Sequence, residues 1–157
     1  MIGTDIPGYT YGTAAVPRSA VSLDELQLLQ ATLLLGEDDL TALRRSGDLL
    51  TPQVEAILDV WYGFVGANPH LLAAFTGPDG QPNQAYLAAV RRRFGRWILD
   101  TARAEFDQAW LDYQYEIGVR HTRSGKNRTD GVQAADHIPL RYVLALLIPI
   151  TATLKPF

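Results

Sequence analysis

The strongest constraint on this chain's fold is the spacing of its apolar residues. Val54, Ile57, Leu58, Trp61, Tyr62 and Val65 follow one another at offsets of 3, 4, 7, 8 and 11 from the first, the stripe of an amphipathic helix. A second stripe, Tyr86, Leu87, Val90, Phe94, Trp97 and Ile98, repeats the pattern. A third runs through Trp110, Tyr113, Gln114, Ile117 and His121. No segment alternates with the period of two that a strand needs, so an all-α chain is expected.

Punctuation between the stripes divides the helices. Ser22-Leu23-Asp24-Glu25 reads as a capping box, opening a helix with Leu26, Leu29 and Leu33 on one face and a stop by Gly36. Glu37-Asp38-Asp39 places carboxylates at the positive end of a next helix, which is expected to end at Gly47. Thr51-Pro52 reads as an N-cap followed by a first-turn proline, and a short helix is expected after Asn68-Pro69. Gly77-Pro78-Asp79-Gly80-Gln81-Pro82 is a turn cluster. Asn83 and Asp107 stand where they can cap the helices that follow. Ser124-Gly125-Lys126-Asn127 breaks the third stripe, and one last apolar helix is expected from Ile138-Pro139 to about Leu154. Residues 1–21, with Pro7-Gly8, Pro17 and the apolar Ile6, Tyr9, Tyr11 and Val16, read as an ordered but irregular arm. The chain is expected to form a single domain over 1–157, with the arm at 1–21 and a helical core at 22–157.

Composition narrows the function. The chain has 157 residues, 47% of them hydrophobic and 20% charged, enough for one domain with one core. Its formal net charge of −3 gives no basic footprint for a phosphate backbone, so no nucleic-acid partner is expected. With no cysteine, disulfides, thiolate zinc sites, iron–sulfur clusters and cysteine nucleophiles all drop out. Met1-Ile2-Gly3-Thr4-Asp5 has neither the charge nor the apolar run of a signal peptide. Tyr142 to Leu154, interrupted by Pro149, is too short to span a bilayer, which needs roughly 20 apolar residues. A cytoplasmic protein without a membrane partner is expected.

Few residues remain that could carry chemistry. The histidines are His70, His121 and His137, none at a spacing that chelates zinc from one helix. His121 ends an apolar face, because Trp110, Gln114 and Ile117 all fall within roughly 40° of it at about 100° per residue. Two readings stand: a core histidine bonded to a carbonyl or favoured by the negative helix end, or an imidazole offered to a metal in an apolar pocket. Trp61 and Phe94 are either plain core or the walls of a pocket. Tyr62 has a hydroxyl that must find a partner once buried, since leaving it bare costs about 2–7 kcal/mol. Arg91-Arg92-Arg93 and Arg96 form a basic helix side, either a solvated face or a place for the carboxylates of a cofactor.

Several strings add a resemblance to these readings. Ile6-Pro7-Gly8-Tyr9-Thr10-Tyr11-Gly12, Ile57-Leu58-Asp59-Val60-Trp61-Tyr62-Gly63-Phe64-Val65, Tyr86-Leu87-Ala88-Ala89-Val90-Arg91 with Arg93-Phe94, and Trp97-Ile98-Leu99-Asp100-Thr101 resemble the protoglobins of archaea and bacteria. So do Trp110-Leu111-Asp112-Tyr113-Gln114-Tyr115-Glu116-Ile117-Gly118 with Arg120-His121, and Pro149-Ile150-Thr151-Ala152-Thr153. The resemblance implies a globin fold with an extra N-terminal helix and an arm that folds over the cofactor. It implies one haem b (iron protoporphyrin IX) ligated by His121 as the metal ligand, and reversible binding of O2, CO or NO at a pentacoordinate iron. Trp61 and Tyr62 match the family's distal pair, Phe94 its distal phenylalanine, and Val90 stands where ordinary globins carry a distal histidine. Ile117 lines the proximal side, and Arg93 and Arg120 are candidates for the haem propionates.

The chain stops at Lys155-Pro156-Phe157, where family members continue into another long helix. The fold is therefore expected to lack the last family helix, and the homodimer implied by the family to be weakened, with the stripe Tyr142, Leu146 and Ile150 uncovered. Two other classes stay open: a haem enzyme with peroxidase-like, NO-consuming or carbene-transfer activity, and a haem-free helical interaction domain.

Overall fold

A computed structural model describes residues 6–157; the first five residues of the arm lie outside it. Among the described residues the secondary structure is helical apart from one isolated bridge, Thr76 to Pro82, in line with the all-α expectation. The helices are α1 (Leu23–Thr32), α2 (Glu37–Leu50), α3 (Val54–Ala67), α4 (Pro69–Leu72), α5 (Gln84–Ala102), α6 (Gln108–Val119), α7 (Leu140–Ala145) and α8 (Leu147–Leu154).

Their starts follow local chemistry. Ser22 and Glu25 form the reciprocal capping box of α1, the Asn83 side chain accepts from the Tyr86 amide, and Asp107 accepts from the Trp110 amide. Each satisfies an amide that lacks an intrahelical partner. Four boundaries or faces differ from expectation. α2 runs through Gly47 to Leu50, because Gly47 lies against α5, where a Cβ would stand 3.3 Å from the Ala102 methyl; the glycine admits a close helix crossing and does not stop the helix. Thr51 caps the end of α2 and not the start of the next helix: its amide and hydroxyl both donate to the Gly47 carbonyl, and a 3-10 turn, Thr51–Gln53, leads into α3. On α1 only Leu26 of the three expected leucines is buried, Leu29 and Leu33 being 55% and 75% exposed, so this helix rests on its cap and its good helix formers more than on core contact.

The last expected helix is two. It breaks at Leu146, between α7 and α8. Pro149 explains this: its ring clashes with the carbonyl four residues earlier, that of Ala145, and it has no N–H to give it.

The core forms where α3 crosses α5. Val54, Ile57 and Leu58 from α3 join Ile98 from α5, flanked by Tyr62, Phe94, Trp97, Leu154 and Phe157. Gly95 allows the crossing, since a Cβ there would stand 2.9 Å from Leu58 and 3.0 Å from Val54. Tyr142, Leu146 and Ile150 are half-buried, while Leu140, Leu144, Leu147 and Ile148 are exposed.

Candidate functional site

α5 and α6 form a helical hairpin joined by residues 103–107, without close backbone packing between them. Val90, Phe94, Trp97 and Thr101 fall on one face of α5, and Trp110, Gln114, Ile117 and His121 on one face of the α6 turn sequence, by the same 4, 7 and 11 spacing. One side-chain hydrogen bond sets their register: the Trp97 indole N–H donates to Gln114 Oε1 at 2.9 Å. One turn away from the loop on each strand of the hairpin stand Phe94 and Ile117; a further turn brings Val90 and His121.

His121 sits just past the end of α6 and is half-buried. Its Nδ1 lies 2.8 Å from the carbonyl oxygen of Ile117. A carbonyl only accepts, so Nδ1 carries the proton and Nε2 is the free, basic nitrogen. Its backbone is held as well, the amide donating to Gly118 and the carbonyl accepting from the Ile138 amide. Of the two readings of this residue from sequence, the bond to a carbonyl is present, and Nε2 is the ring nitrogen that this bond does not use.

The candidate aromatic residues on α3 and α5 cluster with one another. The Phe94 ring lies 5.7 Å from Trp61 and 5.9 Å from Trp97, and Trp61 lies 5.8 Å from Phe64. Tyr62 packs edge-on to Phe75 at 6.5 Å, with the Arg91 guanidinium 5.8 Å from its ring. Its hydroxyl has no hydrogen-bond partner among the described residues, and burial pushes its pKa well above the ordinary phenol value. It keeps its proton. No ring contact or hydrogen bond joins His121 to Trp61, Tyr62 or Phe94 among the described residues.

Arg93 and Arg120 are engaged with the arm. The buried Arg93 pairs with both oxygens of Asp130, at 2.9 and 2.6 Å, and donates to the Pro7 carbonyl at 2.8 Å. Arg120 donates to the next carbonyl, Gly8, at 2.8 Å, to the Thr10 hydroxyl at 3.2 Å and to Glu116 at 2.8 Å. These two guanidiniums thus bind adjacent arm carbonyls, one from α5 and one from the end of α6. Ile6-Pro7-Gly8-Tyr9 closes as a turn, the Tyr9 amide donating to the Ile6 carbonyl, with Gly8 at φ +73°. Only glycine suits this place: a Cβ would come within 2.6 Å of Thr129 and 2.7 Å of Arg93.

Beyond the turn, the Tyr9 hydroxyl donates to the buried Asp100 carboxylate at 2.5 Å, and Arg96 and Arg103 both bind that carboxylate. Burial and the Asp100 bond push the Tyr9 pKa up to about 12. Tyr9 and Tyr11 also meet the edge of Tyr113 at 5.4 and 5.3 Å. The arm is strapped over the hairpin.

Sequence reasoning missed Asp130, Asp100 and Lys126. Lys126 is buried, its ammonium donating to the Ala74 carbonyl at 2.7 Å and standing 5.2 Å from the Tyr86 ring centre. Burial lowers its pKa to about 8. The partners in these pairs stand tens of residues apart, and a single sequence carries no signal that joins them. Lys126 falls in a string whose turn chemistry explained it already.

The cofactor implied by the resemblance is a flat, largely apolar macrocycle whose iron takes a neutral imidazole nitrogen. The donor set fits it: Nδ1 is held by a main-chain oxygen, the usual outer partner of a metal-bound imidazole, and the residues in register with it are Ile117, Val90 and Phe94. No group of three or more His, Cys, Asp or Glu suited to a metal ion occurs among the described residues.

No curated protein matches the chain. The family model for Protoglobin matches residues 22–157, the whole of the helical core. On that match, and with an all-helical fold to carry it, the chain belongs to the protoglobin family of haem-binding globins.

Proposed function

We propose that this protein holds one haem b through His121 Nε2 and reversibly binds O2, CO or NO on the opposite side. The observation that carries the reading is the 2.8 Å bond from His121 Nδ1 to the Ile117 carbonyl, which orients the ring and leaves Nε2 for the iron. When bound, haem would supply an iron able to take a diatomic gas. The protein's own residues do the rest. Trp61, Val90 and Phe94 limit the space and keep it dry. Tyr62, with its proton retained and no other acceptor in reach, donates a hydrogen bond to a bound gas that carries partial negative charge. The arm, strapped by Arg93 and Arg120, covers the carboxylate edge. With both guanidiniums bound to the arm and to Asp130 or Glu116, any propionate contact from them is shared with those partners.

The exposed Leu140, Leu144, Leu147 and Ile148 support a homodimer, since contiguous apolar surface favours association. No helix among the described residues is long and apolar enough to cross a membrane.

His121→Ala is the test. Expressed with haem available, the variant should keep its far-UV helical signal and lose stoichiometric Soret absorbance, and added imidazole should restore part of it. Unchanged haem content would rule out His121 as the ligand.

A further inference from the structure

Arg91 belongs to the basic run on α5, and its guanidinium crosses to α3. There Glu55, Asp59 and Tyr62 follow one another at spacings of 4 and 3, which puts them on one stripe of the helix. Arg91 meets all three. One of its terminal nitrogens donates to the Glu55 carboxylate at 2.8 Å, to the Asp59 carboxylate at 2.8 Å and to the Glu55 carbonyl at 3.1 Å. The guanidinium carbon stands 5.8 Å from the centre of the Tyr62 ring, within the reach of a cation–π contact. Phe75 confines the same ring, with centroids 6.5 Å apart.

The ion pairs do not account for this arrangement by their own stability. The Glu55 and Asp59 side chains are 74% and 76% exposed, and pairs so open to water add little. What they do is hold a long, flexible side chain in one place, and that place is against the phenol ring. The Arg91 side chain is only 25% exposed there. Its positive charge favours loss of the phenol proton, against the burial that opposes it, and an O–H so polarised is the stronger donor. We propose that Arg91 is the positioning residue for Tyr62: anchored by Glu55 and Asp59, it fixes the phenol ring and strengthens its O–H as a donor to bound gas. This rests on the reading of Tyr62 as the donor to the gas.

Arg91→Met keeps the apolar stem and removes the charge, while Arg91→Lys keeps a charge without the planar fork. In the haem-loaded protein Arg91→Met should speed O2 dissociation about two- to fivefold, the worth of a cation–π contact near the surface. Haem content and CO dissociation should not change, and Arg91→Lys should fall between variant and parent. Combination with Tyr62→Phe separates positioning from a plain tie between helices. If Arg91 acts through the phenol, its replacement adds nothing once the hydroxyl is gone; the same factor in both backgrounds overturns the proposal. Tyrosine ring signals in NMR spectra of the reduced protein under CO give a second reading. Faster flipping of the Tyr62 ring in Arg91→Met supports the proposal, and unaltered Tyr62 signals overturn it whatever the O2 rates do. An O2 rate unmoved by Tyr62→Phe alone overturns the reading of Tyr62 as donor, and with it the role of Arg91 toward gas; a loosened ring would still show that Arg91 holds the phenol.

Discussion

At the scale of single residues, the site rests on what each polar group is denied as much as on what it is given. His121 has one nitrogen committed to Ile117, and the other has no hydrogen-bond partner among the described residues. Tyr62 has no acceptor at all among the described residues. Its hydroxyl is therefore free to donate to a polar ligand. Tyr62→Phe should therefore speed O2 dissociation by about tenfold, the equivalent of a hydrogen bond worth roughly 1.4 kcal/mol. CO, which draws less on a donor, should leave at nearly the parent rate. Stopped-flow off-rates measure both. Equal O2 rates in parent and variant would show that the phenol does not reach the ligand. Apo-protein stability should not fall in this variant, since nothing in the chain bonds to the lost hydroxyl.

Elements, in contrast, obey a mixture of local chemistry and contact. Capping by Ser22, Asn83 and Asp107 acts locally, and these helix starts stand where the residues place them. Gly47 shows the other case: a helix stop in sequence terms becomes a crossing point, because Ala102 needs the room. Pro149 sits in the first turn of α8, where a proline is tolerated, and acts on the turn before it. Pro149→Ala should let α7 and α8 join into one helix across Leu146. Backbone chemical shifts at 145–148 would move to helical values, with a gain in ellipticity at the helix band. Unmoved shifts would mean that packing against α3, and not the proline, sets the break.

For the molecule as a whole, Lys126 gives stability a dependence on pH. In the unfolded chain a lysine holds its proton to about pH 10.4. In the fold, burial lowers that to about 8. Between these values the unfolded state binds more protons than the native one, so stability should rise with pH, by at most about 1.4 kcal/mol per pH unit from this group. Below pH 8 both states carry the charge, and the group's contribution is at its least. Above pH 10 the raised pKa of Tyr9 works the other way, because the native state then holds the extra proton. Denaturant melts at pH 7, 8.5 and 9.5 should show the rise, and Lys126→Met should flatten it. A slope that survives in the variant would assign the effect to another group.

The order and type of the helices were legible in the sequence because they depend on short-range facts: apolar spacing, caps and turn residues act within a few positions. The site was legible in part for the same reason, as Val90 and Phe94 share one helical face and Ile117 and His121 another. What no local pattern contains is the pairing of groups far apart in the chain. That Arg93 binds Asp130 and Pro7, that Tyr9 reaches Asp100, that Lys126 is buried against Ala74 and that Gln114 meets Trp97 were decided only by tertiary structure. Each long polar side chain can reach several partners, and only the folded backbone, by excluding water from some and not others, selects one.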